Sequence, residues 1–136
     1  MGNNLIMTVG LPRCGKSTWA RSQIEKGIPV VNPDSIRLAL HGQPFVESAE
    51  PFIWAIAKVM VASLFGAGHN TVILDATNLT IERRKICIDK RWECSYKLFR
   101  DVSKEECIRR AIETKQEYLV DVINKMAETA EWPESI

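Results

Sequence analysis

Residues Gly10-Leu11-Pro12-Arg13-Cys14-Gly15-Lys16-Ser17-Thr18 set glycine, lysine and hydroxyl groups at a spacing that can hold a phosphate chain. The pattern is G-x-x-x-x-G-K-[ST]. Its glycines let the backbone wrap closely, so that amide N–H groups point inward at phosphate oxygens. A helix starting near Lys16 adds the positive end of its dipole. Lys16 has the reach for β- and γ-phosphates, and the Ser17 hydroxyl can ligate Mg²⁺. The bland alternative is a glycine turn with an exposed lysine. The context disfavours it, with an apolar strand pattern before the motif and a helical pattern after it. Cys14 lies inside the loop near a helix start, which lowers a thiol pKa and would make it sensitive to oxidation. The simpler reading is an inert small residue.

A second acid follows a second apolar run. Val72-Ile73-Leu74-Asp75 reads as a buried strand ending in a carboxylate. Ligands of open α/β sheets sit beyond the carboxyl ends of the strands. Asp75 can hold a metal's water shell or a substrate group there, or cap the next segment. Ala76 follows where hydrolysing motors usually place a glutamate to activate water. This argues against a remodelling ATPase and for transfer to another acceptor.

Asn32-Pro33-Asp34-Ser35-Ile36-Arg37 bears on that acceptor. Asp34 and Arg37 are three apart and share a helix face. A carboxylate beside the donor phosphate can take the proton of an attacking hydroxyl. An arginine on that face can bind a substrate phosphate through two N–H groups. The same spacing also makes an ordinary surface ion pair. Arg83 and Arg84 pose a similar choice between a phosphodiester contact and a solvated basic face.

These residues need a scaffold of alternating strands and helices. Strands are expected over Asn4 to Val9, Ile28 to Val31, Thr71 to Leu74 and Cys94 to Phe99. Helices are expected over about 16–26, from Pro33 to His41, over about 49–65 after a Ser48 cap, over about 80–92, from Lys104, and over about 117–130. Asn32 as cap, Pro33 at the first helical position and Gly42 as terminator delimit the second of these. Helix 49–65 is apolar almost all round, so it is buried or half of a contact between copies; plain burial is the favoured reading. It is too short and interrupted to span a bilayer comfortably. The alternation implies an α/β domain with a parallel sheet and right-handed crossovers.

A length of 136 residues with 46% hydrophobic and 26% charged residues fits one globular domain spanning 1–136. This composition argues against disorder and a disulfide scaffold. Cys14, Cys87, Cys94 and Cys107 form no C-x-x-C pair and read as reduced thiols of a cytoplasmic protein. Met1-Gly2 opens no secretory signal, and Ile6 stands where a myristoylation motif needs Ser or Thr. Net charge is +1, but it is uneven. Residues 1–45 hold five basic and two acidic groups, and residues 81–110 hold ten and six. Convergence of those stretches would favour an anionic ligand.

Three segments together, GLPRCGKSTWAR (10–21), NPDSIR (32–37) and DATNLTIERR (75–84), resemble the 5′-kinase domain of phage polynucleotide kinase in order and spacing. The resemblance implies a three-layer P-loop kinase domain, with a parallel sheet of about four strands ordered 2-3-1-4 and a helical lid. It implies transfer of the γ-phosphate of ATP to the 5′-hydroxyl of DNA or RNA, with Mg²⁺. Carried over, residues 10–18 and Arg110 hold ATP with Lys16 also catalytic, Ser17 and Asp75 serve the metal, Asp75 resembles an acid at the active centre, and Asp34 resembles the general base. Arg37 resembles the contact to the acceptor phosphate, and Arg109 the first lid arginine. Glu113 stands where the family's lid has its second arginine, with Arg110 or Lys115 as substitutes. Pro33 replaces a frequent basic residue, and no D-x-D-x-T phosphatase signature occurs. The alternatives are a kinase of hydroxymethylated bases in DNA, a nucleoside or small-molecule kinase, and a non-catalytic nucleotide-binding module. A homo-oligomer through the 49–65 helix stays open.

Overall fold

The computed structural model of the chain describes residues 2–134. Met1 and positions 135 and 136, which the expected domain includes, lie outside the described residues. The elements are β1 (Asn4–Val9), α1 (Lys16–Ile24), β2 (Val30–Val31), α2 (Pro33–His41), α3 (Glu50–Gly66), β3 (Thr71–Leu74), α4 (Ile81–Lys85), β4 (Glu93–Leu98), α5 (Lys104–Glu113) and α6 (Leu119–Thr129). The four strands form a parallel sheet in the order β2-β3-β1-β4. This is the expected 2-3-1-4 order. The central strands are the most apolar: Leu5, Met7, Val9, Val72 and Ile73 are completely buried. β4 lies at an edge, where Glu93 and Lys97 reach solvent.

Two apolar clusters hold the helices to the sheet. One joins β1 and β3 to Ile36 of α2 and to Ile53, Trp54, Ala57, Val61 and Phe65 of α3. The other joins Val9, Leu11 and Cys14 to Cys107 and Ala111 of α5 and Ile123 of α6. Local signals set the helix starts. Asn32 accepts a hydrogen bond from the Ser35 N–H at 3.2 Å, with Pro33 at the first turn. Ser103 accepts from the Glu106 N–H at 3.1 Å. Gly42, at φ 65°, ends α2 in the left-handed conformation that glycine adopts without strain.

Three expectations need correction. The helix expected over 80–92 stops at Lys85. Tighter i to i+3 bonds follow, from Ile86 N–H to the Arg83 carbonyl and from Ile88 N–H to the Lys85 carbonyl. Tertiary packing explains the stop: Cys87 and Trp92 both turn into the core, and the Trp92 indole N–H donates to the Cys87 carbonyl at 2.9 Å. Ser48 does not cap α3. It lies in a 3-10 turn, Glu47–Ala49, and Ala49 occupies the cap position without a side-chain bond. Finally, α3 is not buried all round. Its inner face meets the sheet, while Phe52, Val59 and Met60 remain exposed. The 20 residues Glu47–Gly66 are long and apolar enough to cross a membrane by length and composition. Five apolar side chains of α3 nevertheless pack in the sheet's own core.

Candidate active site

The loop between β1 and α1 packs against neighbours that fix its shape. A Cβ on Gly10 would lie 2.6 Å from Cys14 Sγ and 2.9 Å from Phe99 Cβ, so only glycine fits there. Gly15 has φ 101° and Arg13, a non-glycine residue, has φ 68°. Left-handed backbone at a non-glycine position is costly and marks a loop whose shape is imposed. Cys14 is buried. Lys16 is also buried, and its Nζ donates to the Leu11 carbonyl at 2.6 Å with Cys14 Sγ at 3.5 Å. The ammonium thus lies folded back against its own loop.

Asp75 is where three strands' ends meet. Its Oδ2 accepts from Ser17 Oγ at 3.2 Å and from Asn32 Nδ2 at 3.1 Å. Thr8 Oγ1 lies 3.3 Å from its Oδ1, accepts from the Ala76 N–H at 3.0 Å and reaches the Ala76 carbonyl at 2.8 Å. β1, β2 and β3 therefore deliver Thr8, Asn32 and Asp75 to one point beside the loop. Burial pushes the Asp75 carboxyl above the usual carboxylate range, against the opposing pull of Lys16, Ser17 and Thr8. A hydroxyl and a carboxylate in contact at the phosphate loop are hard oxygen donors that suit Mg²⁺, which takes one or two carboxylates and completes its shell with phosphates and water. Ser17 and Asp75 therefore fit the metal.

α2 begins at this same edge. Asp34, in its first turn, is 79% exposed at the side chain, and Arg37 Nη1 donates to it at 2.6 Å. The spacing allowed either a surface pair or an acceptor site. The structure shows more than a surface pair, because Glu50 closes on the other side of Arg37. Nε donates to Glu50 Oε2 at 2.9 Å and Nη2 to Oε1 at 2.6 Å. Arg37 and Glu50 side chains are only 13% and 11% exposed. The paired guanidinium holds the Glu50 carboxyl below the usual carboxylate range, with Arg83 adding to the effect. Sequence reading missed Glu50. Its one signal was an acid at the start of an otherwise apolar helix.

Asn78 and Arg84 support the site from beneath. Asn78 sits at φ 46°, fully buried, and donates to the Thr8 carbonyl at 2.8 Å. Arg84 is buried and donates to the Asn78 carbonyl at 2.8 Å. It is a strut for the loop after Asp75, neither the phosphodiester contact nor the solvated basic face that the sequence left open for Arg84.

α5 carries both expected lid arginines, and they differ. Arg110 Nη1 donates to the Arg13 carbonyl of the phosphate loop at 3.1 Å, with Nε on Glu106 at 2.8 Å. Arg109 is 60% exposed and pairs with Glu106 and Glu113 on its own helix. The fold brings Arg110, and not Arg109, to the loop. Arg109 and Arg110 together hold the Glu106 carboxyl down to about 2.

The model of the AAA_33 family, described as an AAA domain, matches residues 5–131. Among solved structures, a chain of the Pnkp1/Rnl/Hen1 complex is 30% identical with a TM-score of 0.69. That match covers 80% of this chain and 39% of the other, so the chain spans well under half the length of this relative. A gluconokinase from Sinorhizobium meliloti 1021 is 19% identical with a TM-score of 0.65, over 98% of this chain and 77% of that one. The Mycobacterium tuberculosis APS kinase CysC is 20% identical with a TM-score of 0.64, over 98% and 85%. The strand order and these likenesses are those of a P-loop kinase fold, and the chain belongs to the AAA_33 family.

Proposed function

We propose that the chain is an ATP- and Mg²⁺-dependent phosphotransferase whose acceptor is a nucleic-acid hydroxyl, the 5′-hydroxyl of DNA or RNA. The observation that carries this reading is the Asp34–Arg37–Glu50 cluster at the strand edge that also holds Asp75 and the phosphate loop. It offers a carboxylate for the hydroxyl proton beside a cation for the acceptor's phosphate. The 30% identity to a chain of the Pnkp1/Rnl/Hen1 complex supports it. A second chain of that kind, from the Pnkp1/Rnl/Hen1 RNA repair complex, is 20% identical and shares the fold, with a TM-score of 0.70 over 98% of this chain and 49% of that one.

In this mechanism the loop N–H groups and Lys16 bind the phosphate chain, once Lys16 exchanges the Leu11 carbonyl for phosphate oxygens. Mg²⁺, held through Ser17 and Asp75, supplies charge neutralisation on the transferred group. Asp34 orients the acceptor hydroxyl and takes its proton. The hydroxyl oxygen bonds to the γ-phosphorus as the bridging bond to ADP breaks. Arg37 has two N–H groups left after its three bonds to Asp34 and Glu50, and they bind the acceptor's phosphate. Arg110, tethered to the loop, offsets negative charge on the donor side. Catalysis is mostly positioning and electrostatics.

The small-molecule reading rests on the larger share of the gluconokinase and APS kinase chains that this chain spans. The deciding experiment follows label from γ-labelled ATP to a 5′-hydroxyl oligonucleotide, a hydroxymethylated duplex and a nucleoside, with Lys16→Ala as blank. Label on the oligonucleotide 5′ end is the expected result. Label on the nucleoside alone would overturn the nucleic-acid acceptor, and ATP binding without any transfer would leave a nucleotide-binding module.

A further inference from the structure

The basic pair at 83 and 84 splits in the fold. Arg84 turns inward. Arg83 stays at the surface, half-buried, with its guanidinium 4.6 Å above the ring of Trp54. Trp54 is itself buried and lies one turn after Glu50, so both occupy one face of α3. Arg83 adds to the field on the Glu50 carboxylate, which places the two charges within electrostatic reach. Successive contacts therefore connect the proposed site to Arg83: Asp34 to Arg37, Arg37 to Glu50, Glu50 to Trp54 one turn on, and Trp54 to Arg83. Among the described residues, no carboxylate forms a salt bridge with Arg83, whereas Arg37, Arg91, Arg109 and Arg110 all have one.

A cation fixed in place on an aromatic face, next to the proposed acceptor cluster and in no direct salt bridge, is poised for a second anion. We infer that Arg83 is an acceptor-side phosphate contact lying beyond Arg37, reached by a phosphodiester chain and not by a single nucleotide. This rests on the nucleic-acid reading above and gives it a specificity device. Arg37 takes the phosphate next to the reacting end, and Arg83 takes one further along the strand. An acceptor with one phosphate gains nothing from Arg83. A longer single strand does, and releases one further counterion on binding.

The test compares Arg83→Gln with the intact protein on three 5′-hydroxyl acceptors: a nucleoside 3′-monophosphate, a dinucleotide and a ten-residue single strand. Arg91→Gln serves as control, since Arg91 is also stacked on a tryptophan, Trp92, but its charge is already paired with Asp89. Arg83→Gln is expected to raise KM for the ten-residue strand about tenfold. Its kcat, and its KM for the nucleoside monophosphate, stay unchanged. The slope of log affinity against log salt falls by about 0.7, and Arg83→Lys recovers it because the charge is restored. An unchanged KM on the long strand overturns the inference. So does an equal loss on all three acceptors, which would make Arg83 a structural support.

Fluorescence anisotropy of the labelled strand without ATP separates failure of this inference from failure of the kinase reading. If no acceptor is phosphorylated but strand binding is salt-dependent and weakened in Arg83→Gln, Arg83 stands and the reaction does not. If the intact protein binds no strand, both fall.

Discussion

Arg37 and Glu50 form a two-pronged ion pair across the α2–α3 junction, Nε to Oε2 at 2.9 Å and Nη2 to Oε1 at 2.6 Å. Thirteen residues separate them, and both are largely out of solvent. Glu50 therefore fixes the direction in which Arg37 points. Removing one member of such a pair leaves the other charge poorly solvated. Glu50→Gln is expected to cost about 3 kcal/mol of stability and to raise the acceptor KM, with nucleotide affinity intact. Thermal unfolding and separate titrations of donor and acceptor check it. Unchanged acceptor kinetics would reduce Glu50 to a fold contact.

The pair also has a pH signature. The folded Glu50 carboxyl titrates below its unfolded value, with Arg37 as the main cause. Its contribution is thus present above the unfolded value, near 4.5, and fades as pH falls through the folded one. Stability of the intact protein should drop over that acid window more steeply than that of Glu50→Gln. Parallel urea titrations from pH 6 to pH 3 would show it, and coincident curves would refute it.

Asp75 behaves in the opposite sense. Burial raises its pKa in the folded chain, so its ionised form costs stability at neutral pH. Asp75→Asn should raise the Tm of the unliganded protein while abolishing Mg²⁺-dependent transfer. Calorimetry with and without Mg²⁺-nucleotide tests both halves. A lower Tm would mean that the bonds from Ser17 and Asn32 outweigh the burial penalty.

Gly10 has no room for a methyl group. Gly10→Ala should destabilise by about 2 kcal/mol, as overpacking does, and weaken nucleotide binding by distorting the loop. Cys14→Ala in the same chain should relieve only part of it, because Phe99 Cβ still stands 2.9 Å from the new carbon. Full rescue by Cys14→Ala would show that Phe99 yields.

Arg110 and Arg109 are neighbours with different surroundings. Arg110→Ala should lower transfer by about 10³, the scale of a lost charge-stabilising arginine. Arg109→Ala should cost less than about threefold, since surface pairs within one helix contribute little. Single-turnover rates at saturating ATP measure both. The reverse order would show that α5 rotates before transfer.

Features that are local or periodic can be read directly from the chain. The glycine-rich loop, the Asn32 cap with Pro33 and Gly42, and the four apolar strand runs are encoded in adjacent residues, and their alternation with helices implies a parallel sheet, whereas the 2-3-1-4 order comes from the resemblance. Only tertiary structure could end α4 at Lys85, because the competing force is the burial of Cys87 and Trp92. Only it could sort paired arginines into roles. Residues adjacent in sequence point about 100° apart on a helix, so Arg84 enters the core while Arg83 stays on Trp54, and Arg110 meets the loop while Arg109 faces outward. And only it could join Glu50 to Arg37, since an ion pair depends on distance in space and leaves no periodic trace in the chain.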